Sequence, residues 1–382
     1  MSRRALRLGT IAITAAGLSA GFATAAVAHG RGHAFHPSSG HYAVTNVLLG
    51  SSLSHPVGAG SEKLTKPDDI VVLENKLFAV FQNGVGAMGE ASPTGNTATT
   101  LVEFTKSGHV VQQWDLTGRV DGMGADPASE RVIATVNEDG NSSLYTVTPD
   151  SAPSDQLAHY TYSPSPLPHG GGTDAVSVYH GRILISASAP ADSTQPAVYA
   201  VTLHPMTGMA SATSVFADNA TAISATTGQS TTLALSDPDS NTVVPGPSPR
   251  FRGDFMLDSQ GDLQQIYVHH AGGPGQSLTV LGLTQSVDDT AFATARTGAL
   301  FVTDSTNDAV SAVSGRFEPG DAFVAVTPCN ANSAPSICPA PGFPANYLGR
   351  LDLSTGTVSQ VTTTGAPLVP HGMLFLPGQG EN

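Results

Sequence analysis

Charged residues are scarce in this sequence, and basic ones are scarcer still. Of its 382 residues only 12% are charged, and 16 Lys and Arg stand against 30 Asp and Glu, which gives a formal net charge of −14. Binding to the phosphates of nucleic acid requires a basic patch. Nucleic acid is therefore excluded as a partner, whereas the acidic balance is compatible with binding of cations.

Long apolar runs are missing after residue 28, where no stretch reaches the about 18 apolar residues that a membrane span needs. The chain begins with the positive stretch MSRRALR, continues with an Ala-rich apolar run over residues 8–27, and reaches Ala26-Val27-Ala28. These features predict a signal peptide over residues 1–28 and a secreted, extracellular protein with no membrane span after cleavage. The alternative is a membrane anchor, but Gly, Thr and Ser make the run weakly apolar.

Cysteine is nearly absent. The two cysteines, Cys329 and Cys338, lie in the Pro- and Ser-rich stretch TPCNANSAPSICPAPGFP. In an oxidising compartment such a close pair predicts a disulfide, here one that staples a loop insertion around residues 316–347. A ring of about ten residues stabilises by about 2.5–3 kcal/mol in the chain-entropy model. A two-thiolate metal site is the alternative, but it lacks nearby His ligands.

Sustained helical periodicity is also missing, whereas 41 Gly and 27 Pro mark frequent turns. From residue 42 onward short apolar runs rich in Val and Thr alternate with turn signals, which predicts an all-β domain over residues 42–382. Residues 29–41 contain His29, His33, His36 and His41. A His cluster can bind a transition metal, but we interpret this segment as a flexible linker.

A repeat runs through the domain. Its copies begin with a polar or acidic residue, then a small or polar one, and continue as an apolar strand: PDDIVVL, VDGMGAD, GTDAVSV, VDDTAFA, PHGMLFL and the degenerate TTLALSD from Thr231. Successive steps are about 52–59 residues long, except for the last, and a period near 50 residues is typical of β-propellers. The pattern predicts a single β-propeller of six four-stranded blades, closed by pairing of the N- and C-terminal strands, with seven or five blades as alternatives.

The repeat also indicates which strands share a blade near the C-terminal end of the domain. Strands DTAFATA, ALFVTD and DAVSAV are expected to form one blade that begins at Asp289. The last step of the repeat is about 83 residues and contains the cysteine loop and the extra strands AFVAV and YLGRLDL.

The segments DGMGADPASERVIATV, DDTAFATARTGALFVTDSTNDAVSAV and PHGMLFLP resemble blade repeats of the NHL-repeat and regucalcin/gluconolactonase-type propeller superfamily. The whole chain also resembles a group of exported bacterial propeller proteins. The superfamily resemblance implies a divalent ion in the channel, with Asp121 and Asp289 where its ligands are expected. The chain departs from the family at Pro67-Asp68-Asp69, where a Glu-Gly-Pro is typical, and at His371, which replaces the Asn of a Pro-Asn-Gly.

The first strand of each propeller blade lines the central channel. The repeat therefore predicts a ligand site at one rim of the channel, made of Asp69, Asp121, Asp174, Asp289 and His371, with Asp68 and Asp288 beside it. Facing carboxylates repel one another, and a bound cation, raised pKa values or intervening water relieves this. Oxygen ligands suit Ca²⁺ or Mg²⁺, and a His also admits Zn²⁺ or Mn²⁺. The predicted metal ligands are Asp121, Asp174, Asp289 and His371; alternatively, the repeated Asp residues only shape turns.

The sequence contains no G-x-S-x-G, H-E-x-x-H or P-loop motif, so it identifies no catalytic residue. The first functional hypothesis is an exported binding or scaffold propeller that takes a small molecule, a glycan or a protein at the acidic rim. The alternative is a divalent-metal-dependent, lactonase-like hydrolase or lyase that acts on a small molecule at the same site. A monomer is expected.

Overall fold

The computed structural model describes residues 41–328 and 346–378, and nearly all regular structure in them is β-strand. The predicted signal peptide, the His-rich linker before His41 and both cysteines lie outside the described residues. Within the described ranges, none of the helices has the length and apolar character to cross a bilayer.

The first half of the chain begins with a strand, a 3₁₀ turn and a hairpin: β1 (Tyr42–Leu49), the turn (Gly50–Ser52), β2 (Ser54–Val57) and β3 (Gly60–Lys63). Three antiparallel blades follow. Blade I contains β4 (Pro67–Leu73), β5 (Lys76–Phe81), β6 (Ala98–Phe104) and β7 (Val110–Thr117). Blade II contains β8 (Val120–Asp126), a 3₁₀ turn (Pro127–Ser129), β9 (Arg131–Val136), β10 (Ser143–Val147) and β11 (Leu157–Ser163). Blade III contains β12 (Val176–Tyr179), β13 (Arg182–Ser186), β14 (Pro196–His204) and β15 (Met209–Ala217).

The second half of the chain completes three further blades, of which blades IV and VI each include one parallel strand pair. Blade IV contains β18 (Pro238–Val243), β19 (Phe255–Ser259), β20 (Gln264–His269) and β21 (Ser277–Gly282). Two further strands, β16 (Thr221–Ser224) and β17 (Ser230–Thr232), extend its outer edge. The remaining strands are β22 (Val287–Phe292), β23 (Gly298–Asp304), β24 (Ala309–Ser314), β25 (Ala322–Val326), β26 (Tyr347–Asp352), β27 (Thr357–Gln360), β28 (Thr363–Gly365) and β29 (Met373–Pro377). Blade V is β22-β25-β26-β27, and blade VI is β29-β23-β24-β1-β28.

The blades form a closed ring. Their inner strands β4, β8, β12, β18, β22 and β29 contact one another in that order, and β29 contacts β4. The hydrophobic clusters lie between consecutive blades; between blades I and II, Phe78 and Trp114 pack with Val132. Each sheet thus buries both faces against its neighbours, which explains why β5 and β9 are buried at every position after their first. The predicted all-β propeller class is confirmed.

The prediction of six separate four-stranded sheets is wrong in detail. Over residues 41–328 and 346–378, hydrogen bonding joins the strands into five sheets of four or more strands plus the β2–β3 hairpin, and two of the five have four strands. Blades II and III merge into one eight-stranded sheet because β11 and β15 pair in parallel over Thr161–Ser163 and Met209–Ser211. Blades IV and VI each acquire additional outer strands.

The blade expected from Asp289 onward is also corrected. Strand β22 pairs with β25, whereas β23 and β24 belong to blade VI. The chain thus leaves blade V after one strand, builds two strands of blade VI, and returns. The segment AFVAV is β25, so the predicted insertion over residues 316–347 includes a blade strand, and its cysteines lie outside the described residues.

Closure of the ring differs from direct pairing of the terminal strands. Strands β1 and β29 share the blade VI sheet, but β24 and β23 lie between them. The degenerate repeat copy is corrected as well, because Ser230–Thr232 is the outer strand β17 and the inner strand of blade IV begins at Pro238.

Candidate functional site

Every inner strand carries a β-bulge where it enters the sheet. In blade I, Pro67 pairs with Phe81 and Ile70 with Ala79, so that Asp68 and Asp69 together oppose one residue. The same register shift occurs in blades II, IV and V. In blades III and VI the backbone bonds show it directly: in blade III the N–H groups of Asp174 and Ser186 donate to Ser186 and Ala175, each at 3.1 Å.

Bulges redirect side chains locally, and here the same two positions recur around the ring. The first bulge residues are Asp68, Asp121, Asp174, Asp239, Asp288 and His371, and the second are Asp69, Gly122, Ala175, Ser240, Asp289 and Gly372. Acidic side chains therefore occupy five of the six first positions, with a histidine at the sixth.

All the first bulge residues line one cavity of about 520 Å³ at the mouth of the channel, which we call the acidic well. Its lining contains ten carboxyl groups, those of Asp68, Asp69, Asp121, Glu138, Asp139, Asp174, Asp237, Asp239, Asp288 and Asp289. Among the described residues, Arg119 is the one Lys or Arg in this lining. The five side chains predicted to form the site all border it, but their environments differ.

Asp69 and Asp289 brace neighbouring blades. Asp69 accepts hydrogen bonds from the backbone N–H of Ile70 at 2.6 Å and, across to blade II, of Met123 at 2.5 Å. Asp289 does the same with Thr290 and, in blade VI, Met373, both at 2.6 Å. Burial raises the pKa of each carboxyl to about 7 despite these donors. Both oxygens of each side chain thus have structural partners, as the turn-shaping alternative expects.

Asp121 occupies a first bulge position and is only partly satisfied. Its Oδ1 accepts a hydrogen bond from Gln82 at 2.7 Å and pairs with Arg119 at 3.0 Å. Its Oδ2 is buried without a hydrogen-bond partner among the described residues, and the whole residue is 8% exposed. Burial outweighs the Arg119 charge and raises the pKa of Asp121 to about 7. Arg119 also pairs with Glu138 at 2.9 Å.

Asp174 and Asp239 form a carboxyl–carboxyl hydrogen bond between blades III and IV. Burial raises the pKa of Asp174 to about 8, although the hydrogen bond from Asp239 favours its ionised form. Burial and the Asp174 charge raise the pKa of Asp239 well above its ordinary value. Both carboxyl groups thus resist ionisation more strongly than an exposed aspartate does.

His371 faces Asp288 across the junction of blades VI and V, with Nδ1 3.3 Å from Oδ2. Burial lowers the pKa of His371, but the hydrogen bond and charge of Asp288 outweigh it and the net shift is upward. The other oxygen of Asp288 accepts a hydrogen bond from Gln260 at 2.7 Å. The predicted ligand His371 is thus already engaged by a carboxylate.

In the described part of the chain, no three His, Cys, Asp or Glu side chains converge closely enough to hold a metal ion. The predicted ligands Asp121, Asp174, Asp289 and His371 border the same cavity but are spread around it. Their donor chemistry suits a hard cation, whereas a preformed chelate is absent from these residues.

The repeat pattern aligns Asp69 and Asp289 with Asp121, whereas the bulge register gives Asp68 and Asp288 as the counterparts of Asp121. The predicted site also lacks Asp239, although Pro238-Asp239-Ser240 resembles Pro67-Asp68-Asp69 in the sequence. Arg119 and Glu138 were also missed, because they follow from blade packing and not from the repeat.

No family model matches this sequence, and no curated protein matches it. Solved structures resemble its fold. The periplasmic gluconolactonase of Pseudomonas aeruginosa is 13% identical, with 88% of this chain and 99% of that chain covered and a TM-score of 0.46. A nidogen–laminin complex structure is 9% identical, covering 87% and 98%, with a TM-score of 0.47. A Lactobacillus plantarum protein is 12% identical, covering 88% and 99%, with a TM-score of 0.43.

Proposed function

We propose that this protein is an exported propeller that binds a cationic ligand in the acidic well. One observation carries the proposal: the repeated bulge places five Asp side chains around a single cavity. A fold that needed only turn-shaping residues would not require an acid at five of the six first positions, since Gly, Ala and Ser serve at four of the second positions.

The electrostatics of the well favour a cation. Two carboxylates about 6 Å apart repel each other by about 3 kcal/mol at an effective dielectric of about 20. Protons relieve part of this repulsion, because burial raises the pKa of Asp121 to about 7 and those of Glu138 and Asp174 to about 8. A bound cation would replace these protons, so its affinity should increase as the pH rises through this range.

The ligand atoms that we assign are the free Oδ2 of Asp121 and the carboxyl pair of Asp174 and Asp239. Asp289 and His371 support them less directly, since both already have partners. Ca²⁺ or another divalent ion and a small organic amine share the chemistry that these oxygens recognise. An amine carries its charge over a larger volume, which suits carboxyl groups spread around the cavity.

Thermal unfolding of chelator-treated protein tests this. The probes are Ca²⁺, Mg²⁺, Mn²⁺, Zn²⁺, 1,4-diaminobutane and spermidine, each measured at about pH 6 and about pH 8. At least one should raise the melting temperature, and more so at the higher pH. The shift should disappear in Asp121→Asn and Asp239→Asn and persist in Asp155→Asn, which removes an exposed carboxylate outside the well. No shift with any probe at the higher pH would reject the proposal.

An enzyme that hydrolyses or eliminates from a small molecule is the second candidate. It is favoured by two pairs of titratable groups in one cavity, Asp174 with Asp239 and His371 with Asp288. Groups that ionise near neutral pH serve as general acids and bases. Turnover of aldonolactones should then follow a bell-shaped pH profile that Asp239→Asn and His371→Gln abolish. Hydrolysis no faster than in buffer, with or without the divalent ions, would leave binding as the function.

A further inference from the structure

A second cavity lies on the other side of the β9–β10 turn from the acidic well. The turn, residues 137–141, borders both: Glu138 and Asp139 line the well, and Asn137 and Asn141 line the second cavity. The second cavity has a volume of about 430 Å³, within the range of about 300–1,000 Å³ that is typical of small-molecule sites.

Its chemistry is the opposite of the well's. Among the described residues, no Asp, Glu, Lys or Arg lines it; hydroxyl, amide, aromatic and glycine positions do. The lining includes one histidine, His159, and partial desolvation of its ring lowers its pKa, which favours the neutral imidazole at pH 7. The lining therefore offers no charged side chain to pair with an ionic ligand, and the formal net charge of −14 of the whole chain further disfavours an anion.

One wall of the cavity is an aromatic platform. The rings of Tyr145 and His159, on adjacent strands β10 and β11, stack with centroids 4.4 Å apart and planes 23° from parallel. The imidazole Nε2 lies 2.9 Å from the Ser143 hydroxyl, which fixes the ring. Tyr145 is 8% exposed, whereas His159 is exposed and can present its outer face.

The lining also contains polar groups that both donate and accept. The Thr173 hydroxyl lies 2.5 Å from that of Ser142 and 3.1 Å from that of Tyr162, and these hydrogen bonds fix both lining hydroxyls. Asn141 and Thr161 add exposed amide and hydroxyl groups. Flat apolar faces flanked by neutral groups of this kind complement a ring that carries hydroxyls.

We propose that this second cavity binds a neutral sugar. Its ring would lie against the His159 platform and its hydroxyls would exchange hydrogen bonds with Asn141, Ser142 and Thr161. The absence of charged groups from the described lining discriminates against acidic and amino sugars. The proposal is independent of the cation site in the acidic well.

Saturation-transfer NMR with the methyl glycosides of glucose, galactose, mannose, xylose and N-acetylglucosamine, each at about 1 mM, tests it on the full mature chain. At least one should show transfer. Affinity should fall about tenfold in His159→Ala, which removes the platform, and about fivefold in Asn141→Gly. Glycine suits that position because Asn141 has a φ of 55°, so the second variant removes the amide without backbone strain.

The matched control is His204→Ala. His204 is also exposed and its Nε2 also lies 2.9 Å from a serine hydroxyl, that of Ser211, but it is outside the cavity. Binding should be unchanged in this variant and in Asp121→Asn. Transfer from none of the glycosides, full binding in both cavity variants, or loss in Asp121→Asn would overturn the proposal; the last result would place the sugar in the acidic well.

Discussion

The carboxyl groups of Asp174 and Asp239 share a hydrogen bond that links blades III and IV, and burial raises the pKa of both. Both residues are first in their β-bulges, and both line the acidic well. This contact depends on pH, because ionisation of both groups would place two buried negative charges next to each other.

The first prediction concerns stability and pH. Burial raises the pKa values of Asp121 and Asp174 in the folded protein to about 7 and about 8, whereas unfolded aspartate titrates near 3.9. The folded state therefore binds more protons between these limits. The stabilisation of the folded state by these protons is fully present below about pH 3.9 and is lost as the pH rises through about 8. In metal-free buffer, the melting temperature should fall by about 5 °C between about pH 5.5 and about pH 8.5.

Asp239→Asn is the informative variant for this prediction. The amide still donates a hydrogen bond to Asp174 but carries no proton that can dissociate. Its melting temperature should decline less steeply with pH and exceed that of the native protein by about 2 °C at about pH 8.5. Identical pH profiles for the two proteins would show that this pair does not contribute.

The second prediction separates two adjacent aspartates. Asp69→Ala leaves the N–H groups of Ile70 and Met123 without their acceptor and should lower the free energy of unfolding by about 2 kcal/mol. Asp68→Ala should be neutral or stabilising, since burial and the Asp121 charge raise the pKa of Asp68 and disfavour its ionised form. Denaturant unfolding of both variants at neutral pH measures the difference. Equal losses of free energy of unfolding would contradict the conclusion that Asp69, and not Asp68, links blades I and II.

The third prediction tests the closing blade. Phe375 on β29 is 7% exposed and meets Phe317 with ring centroids 4.9 Å apart at 75°. Phe375→Ala should lower the free energy of unfolding by about 3–5 kcal/mol, because it leaves a cavity between blades V and VI. Met206→Ala is the control, since Met206 is fully exposed and should change stability by less than about 0.5 kcal/mol.

The fourth prediction concerns export. The N-terminal pattern predicts cleavage after Ala28, so protein recovered from culture medium should begin at His29. Edman sequencing of the secreted protein measures this. Protein that begins at Met1 and sediments with membranes would overturn the prediction.

The fifth prediction concerns Cys329 and Cys338. When the exported protein is denatured without reductant, a thiol reagent should label neither cysteine. After reduction it should label both. Cys329→Ser should lower the free energy of unfolding by about 3 kcal/mol at most, because the predicted disulfide ring is short. Two free thiols in the exported protein would exclude the disulfide.

The fold class and the position of the acidic well were predictable because both follow from the repeat. Alternating apolar strands recur with each copy, and the acids at the repeat's start mark the channel mouth. The pairing of β22 with β25 was not predictable, since adjacent strands β22, β23 and β24 read equally well as one antiparallel unit. The roles of Asp68 and Asp69 were also hidden, because a bulge places two consecutive residues opposite one and only hydrogen-bond geometry tells them apart.

The crossing of the chain between blades V and VI gives the molecule an uneven modularity. Blades I, II and III each come from one continuous stretch, so a chain break between two of them divides none of these three blades. Any single break between β22 and β29 divides blade V or blade VI, because β23 and β24 are made before β25. Strand β1 pairs with β24, which lies about 270 positions further along the chain. During synthesis β1 therefore cannot pair until β24 has been made, and the last two blades must assemble together. Gene fusions, duplications and circular permutations should be tolerated in the first half of the ring and should fail in the last third.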